Sequence, residues 1–133
     1  MAQVVTVDKV DDGGAGSGER VAPQLDRNEV VLVGRVSADP ESRELPSGDV
    51  LWTFRLVVRR PEGAGTRQSV DVLDCCAWTA RTQRTVRAWH EGDQVQVEGA
   101  VRRRFFRTGG GTASRVEVEV RAGRRLRRRA DAA

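Results

Sequence analysis

Phe105 and Phe106 directly follow Arg102, Arg103 and Arg104. A surface ring flanked by cations offers a π-face to a planar ligand such as an unpaired nucleobase, while guanidinium groups grip phosphate. If 94–106 is a strand, Val101, Arg103 and Phe105 share one face and Arg102, Arg104 and Phe106 the other. With Val101 and Phe105 turned inward, Phe106 points outward between two cations. Other chemistry is harder to assemble. Cys75 and Cys76 are adjacent and His90 is the single histidine, so neither a zinc clamp nor a disulfide framework is expected. Asp71 and Asp74 fall on opposite faces of a strand and make no acid/base pair, and no nucleophile, base and oxyanion site comes together. An enzyme is not expected, nor is a cofactor, a metal or a small-molecule substrate.

The charge is unevenly spread. The chain has 133 residues with 23 Lys+Arg, 19 Asp+Glu and a net charge of +4. Lys9 is the only lysine. A GC-rich genome would favour arginine in the same way, so position is more telling than number. Residues 1–27 and 28–101 are each slightly acidic, whereas 102–129 carries eleven arginines against Glu117 and Glu119. That is an electrostatic footprint for a polyanion. No stretch approaches the roughly 18 apolar residues of a membrane-spanning helix. No basic-then-apolar leader is visible, and the expected setting is a reducing, cytoplasmic one.

The elements that would position these residues are mostly strands. Residues 1–27 hold a Gly-, Asp- and Ser-rich segment and are read as a disordered arm. A body spans 28–122, and 123–133 is read as a disordered basic tail. Strands are expected over 29–36, 50–60, 70–78, 94–106 and 114–122, with a short helix over 79–90 that Gly92 ends. In the second strand Trp52, Phe54, Leu56 and Val58 share the core face. Trp89 and Cys75 are also assigned to the core. Residues 108–112 form a glycine-rich hairpin tip. Five strands with a helix between the third and fourth is the order of an all-β OB-fold Greek-key barrel, although a five-stranded open sheet fits the same string.

Two segments carry a resemblance. Asn28-Glu-Val-Val-Leu-Val-Gly-Arg-Val-Ser-Ala-Asp-Pro-Glu-Ser-Arg43, followed by Leu45-Pro-Ser-Gly48, resembles the opening of bacterial single-stranded DNA-binding proteins. That family begins with an N-x-V-x-L-x-G-x-L strand, then D-P-E-x-R and a P-x-G turn. Glu91-Gly-Asp-Gln-Val-Gln-Val-Glu-Gly-Ala-Val-Arg102 is similar to its fourth strand, K-G-x-x-V-x-V-E-G-x-L-R. The resemblance implies an OB-fold that binds single-stranded DNA without sequence preference. It implies a homo-oligomer, a tetramer or a dimer, that protects DNA in replication, repair or recombination beside the nucleoid. Trp78 and Phe106 fall where the family has stacking aromatics. Arg35, Arg55, Arg59, Arg102 and Arg104 are the expected phosphate contacts.

The departures are as specific. Val72 stands where the family has a tryptophan, Leu73 where it has a histidine, and no aromatic lies near Glu62. Two of about four stacking platforms are therefore missing, which implies weaker or more charge-dependent binding. The acidic C-terminal tip that recruits partner proteins is replaced by Arg124-Arg125-Leu126-Arg127-Arg128-Arg129, so the resemblance implies a secondary paralogue. Two other functions fit the same residues: a protein-interaction adaptor whose arginine tail meets an acidic partner, and an RNA-binding module that stacks bases in the same way.

Overall fold

The computed structural model describes residues 25–63 and 67–130 and the backbone of Gln3–Val4. The strands are β1 (Gln3–Val4), β2 (Val30–Val36), β3 (Glu41–Glu44), β4 (Val50–Arg59), β5 (Val70–Ala77), β6 (Gln94–Thr108) and β7 (Gly111–Arg127), and a helix α1 (Ala80–Val86) lies between β5 and β6. The sheet order is β1-β2-β6-β7-β5-β4-β3, and β2 also pairs with β4 through Arg35 and Val36. That extra pairing joins the two ends of the five main strands and closes them into a barrel. The open sheet left possible by the sequence is thereby excluded.

Alternation builds the interior. Val30, Leu32 and Val36 of β2, Phe54, Leu56 and Val58 of β4, Cys75 of β5, Val95 and Val97 of β6, and Val118 and Val120 of β7 form one buried cluster with Val86 and Trp89. Trp52 packs against it while partly exposed. Trp89 sets its edge against Phe54 with ring centroids 5.5 Å apart, a geometry favoured by the ring quadrupoles. The strands cross closely at glycines. A Cβ on Gly34 would lie 2.4 Å from the Val57 carbonyl oxygen, and one on Gly99 would lie 2.0 Å from that of Glu119. Any side chain at either point would push the barrel wall apart.

The two segments that carried the resemblance are tied to each other. The Asn28 carboxamide gives its NH₂ to the Val101 carbonyl at 2.7 Å and receives the Val101 N–H at 2.8 Å, extending the β2–β6 ladder by one side chain. Asp39 accepts the Glu91 N–H at 2.7 Å. Val36 exchanges backbone bonds with Gly92 and Asp93. Thr79 caps α1 by accepting the Thr82 N–H. The helix is ended by a right-handed cap at Arg87 rather than by Gly92, whose positive φ of 90° serves the turn that leads into β6.

Several expectations change. Glu41–Glu44 pairs with Val50–Thr53 of β4, so the helix follows the fourth strand of the body rather than the third. The helix ends at Val86, and two tight turns continue to Trp89. The β6–β7 hairpin outruns the barrel, with its turn at Gly109 and Gly110. Phe105, expected in the core, is 68% exposed because no wall faces it there. The tail boundary expected at 122 moves as well: residues 123–127 belong to β7 and pair with Gln94–Val97. Of the expected N-terminal arm, residues 5–24 lie outside the described residues, and Gln3–Val4 pairs antiparallel with Val30 and Val31.

Candidate nucleic-acid interface

Four of the side chains singled out above, Trp78, Phe106, Arg102 and Arg104, meet on the outer face of the β6–β7 hairpin beside the end of β5. Strict alternation along β6 puts Ala100, Arg102, Arg104 and Phe106 on one face, and register places Glu117, Arg115 and Ala113 directly across from the last three. The Arg104 guanidinium carbon lies 4.5 Å from the centre of the Trp78 ring, and that of Arg115 lies 5.7 Å from the Phe106 ring. Both fall within cation–π range. The result is a ladder of ring, guanidinium, guanidinium and ring: Trp78, Arg104, Arg115 and Phe106. Trp78 is half-buried, and Phe106 is 41% exposed. Arg115 is the rung that the sequence reading missed. Its pairing opposite Arg104 follows only from the hairpin register.

The underside of this ladder is a buried polar cluster. Glu117 is only 7% exposed and accepts hydrogen bonds from Arg104 Nε and, at 3.1 Å, from the Cys76 thiol. Burial, then the bond to Glu117 and its charge, push the Cys76 thiol up to about 12. Cys75, in the core on the other side of the strand, is pushed up by burial as well. Both thiols stay protonated at neutral pH and are unfit for redox work. Arg104 is held above its ordinary range: burial opposes its charge, but the bond to Glu117 outweighs it. Arg102 pairs with Glu119 at 2.8 Å, and Arg55 with Asp74 at 3.1 Å. Arg102 and Arg104 therefore carry their own carboxylates, whereas Arg115 is in none of the ion pairs among the described residues. The Trp78 indole N–H is buried without a hydrogen-bond partner, a state that costs roughly 1–3 kcal/mol.

The structure does not bring all seven expected residues together. Trp78, Phe106, Arg102 and Arg104 share the ladder face. Arg55 lines an adjoining cleft between β4 and β7 that also holds Arg43, Asp74 and Arg115. Arg35 and Arg59 stand apart, in a cleft at the opposite end of β6 with Arg127 and Arg128. Among the described residues, no group of three or more His, Cys, Asp or Glu side chains is arranged to hold a metal, and no helix is long and apolar enough to cross a membrane.

A small closed barrel with strands of this order is an OB-fold, here with aromatic and basic side chains on its outer wall. Residues 27–126 match the single-strand binding protein family, and the chain belongs to it. It is 37% identical over 81 residues to single-stranded DNA-binding protein 3 of Listeria innocua, a match covering 59% of this chain and 50% of that protein. It is 33% identical over 81 residues to single-stranded DNA-binding protein A of Bacillus subtilis, covering 59% and 46%. The chain thus spans about half the length of the curated relatives it matches. Its fold is similar to that in a Plasmodium falciparum SSB complex with ssDNA, with a TM-score of 0.62, 20% identity and coverage of 78% of this chain and 98% of that one.

Proposed function

We propose that the chain binds single-stranded DNA without reading its sequence, with bases stacking on Trp78 and Phe106 while arginines meet the phosphates. The observation that carries this reading is the Trp78–Arg104–Arg115–Phe106 ladder on the open wall of the barrel. Stacking contributes roughly 1–3 kcal/mol per base and tolerates any base, since each has a π-face. Arg104, fixed from below by Glu117, holds one face of the Trp78 ring. The unsatisfied indole N–H gives that ring a reason to shift when a ligand with an acceptor arrives. Family membership and the names of the relatives support the same ligand. Homo-oligomerisation belongs to this reading too; the apolar groove of Leu73, Val101, Val116 and Val118 on the inner side of the hairpin supports a subunit contact there, and sedimentation of the full chain measures it.

The test is a fluorescence titration with oligo-dT. Trp89 is buried, whereas Trp52 and Trp78 are both partly exposed, so the Trp78→Ala variant separates the Trp78 share of the quenching. Saturable quenching in the native chain that disappears in Trp78→Ala is the expected result. Unchanged quenching in that variant removes Trp78 from the site, and stronger competition by oligo-U makes RNA the ligand.

A further inference from the structure

We propose that Arg35, Arg59, Arg127 and Arg128 form a second, phosphate-binding cleft that holds the backbone of the same single strand whose bases occupy the ladder. This inference rests on the single-stranded DNA reading above.

The cleft is built by the segment that sequence alone assigns to a loose tail. Arg127 is opposite Gln94 in the β6–β7 ladder, and Gln94 is in turn opposite Arg35 of β2. Directly opposed residues share a face, so Arg35, Gln94 and Arg127 form one cross-strand row. Val57, opposite Arg35, and Arg59, two residues further along β4, extend the same face. Arg128 follows from β7 and completes the lining.

The C-terminal segment is anchored on both sides of these arginines. Before them, Gly123 lies under the Trp89 ring so closely that a Cβ there would come within 2.8 Å of it. Arg125 donates to the Ala88 carbonyl at 3.2 Å and lies 3.5 Å from the Asp93 carboxylate. After them, the Arg129 N–H donates to the same buried carboxylate at 2.8 Å. Two extra residues of β7, Arg121 and Leu126, interrupt its register with β6. Such bulges bend a strand and let β7 wrap the barrel far enough to reach Arg35.

The charge balance separates this cleft from the ladder. Among the described residues, no Asp or Glu lines it, and none of the ion pairs involves Arg35, Arg127 or Arg128. The Arg35, Arg127 and Arg128 guanidinium forks suit the non-bridging oxygens of a phosphodiester. The row is also continuous with the ladder. Gln94, Arg102, Arg104 and Phe106 are all even positions of an uninterrupted β6, so cleft and ladder open on the same side of that strand. Ten residues separate Gln94 from Arg104, about 33 Å if fully extended, a distance a polymer can bridge and a mononucleotide cannot.

The experiment is a salt series of oligo-dT titrations on the full chain, comparing the native protein, R127A/R128A and the charge-matched control R81A/R84A on the exposed face of α1. Each phosphate neutralised on a single strand contributes about 0.7 to the slope of log K against log salt. The double variant is expected to lose about 1.4 of slope, and Arg35→Ala about 0.7 more, while quenching at saturation is retained and the control keeps the native slope. A native slope in R127A/R128A, or an equal loss in the control, overturns the cleft and leaves the ladder standing. Loss of polyglutamate binding in R127A/R128A with an unchanged oligo-dT slope makes the cleft a protein-binding site and overturns the proposal as well. A native chain that takes up no oligo-dT at any salt overturns both readings together.

Discussion

The two ends of the β6–β7 ribbon use arginine in opposite ways. At the hairpin end, Arg102 and Arg104 are paired with Glu119 and Glu117 across the strands, so most of the ladder face is neutralised locally and Arg115, over the Phe106 ring, is its one rung outside the ion pairs of the described residues. At the barrel end, Arg35, Arg127 and Arg128 have no carboxylate among the cleft residues. The first region is suited to stacking, which salt hardly affects. The second is suited to phosphate neutralisation, which salt weakens steeply. Net charge does not reveal this division. Eleven arginines in the last quarter of the chain look alike until their partners are known.

The largest expected effect breaks the cleft alone. Asp93 is buried and accepts the N–H groups of His90 at 2.9 Å and Arg129 at 2.8 Å. At ~1–3 kcal/mol for each buried group left unsatisfied, Asp93→Ala lowers unfolding free energy on the order of 3 kcal/mol, measured by urea denaturation. It also loosens the end of β7, so the salt slope falls while Trp78 quenching survives. Burial opposes the Asp93 charge, yet the two N–H donors and Arg125 outweigh it and hold its carboxyl below the ordinary 3.8. A carboxyl depressed in the folded state contributes its full stability above that value and loses it as pH falls through the lower, folded one. The acid limb of the stability profile is therefore expected to flatten in Asp93→Ala.

Trp78→Ala comes next and breaks the ladder alone. Oligo-dT affinity is expected to fall by roughly 1–3 kcal/mol, a factor of about 5 to 150, with the salt slope unchanged. Phe106→Ala, at the more exposed end, is expected to cost about 1 kcal/mol in the same titration. The smallest effect sharpens the contrast from the other side. Glu117→Gln removes the carboxylate that neutralises Arg104, and the slope is expected to steepen by about 0.7 as that arginine becomes available to phosphate. The variant is also less stable, but by less than the ~3–5 kcal/mol of a fully buried pair, because the Arg104 side chain is 37% exposed and solvent screens its charge.

Much of the barrel was legible because alternation is a local signal. Phe54, Leu56 and Val58 and the buried Trp89 all follow from spacing and residue type. Residues 123–127 were not legible: Gly-Arg-Arg-Leu-Arg has no apolar alternation, and its order comes from distant partners, the Trp89 ring and the Asp93 carboxylate. Glu41–Glu44 is exposed throughout and becomes a strand only because β4 offers it an edge. Parity correctly placed Phe106 outward but sent Phe105 into a core that ends before it. Of the proposed stacking residues, Phe106 could be found from strand parity and the arginines beside it, whereas Trp78 was singled out only by the resemblance. The carboxylates that pair with Arg102 and Arg104, and the pairing that seats Arg127 opposite Gln94, depend on register, which short patterns do not encode.

The account turns on Trp78 as a stacking surface. Its most direct test is the intrinsic fluorescence of the full chain titrated with oligo-dT at low and at high salt. The same fractional quenching at saturation is expected at both, with weaker affinity at high salt. Oligo-dT that binds with no change in tryptophan emission would contradict it.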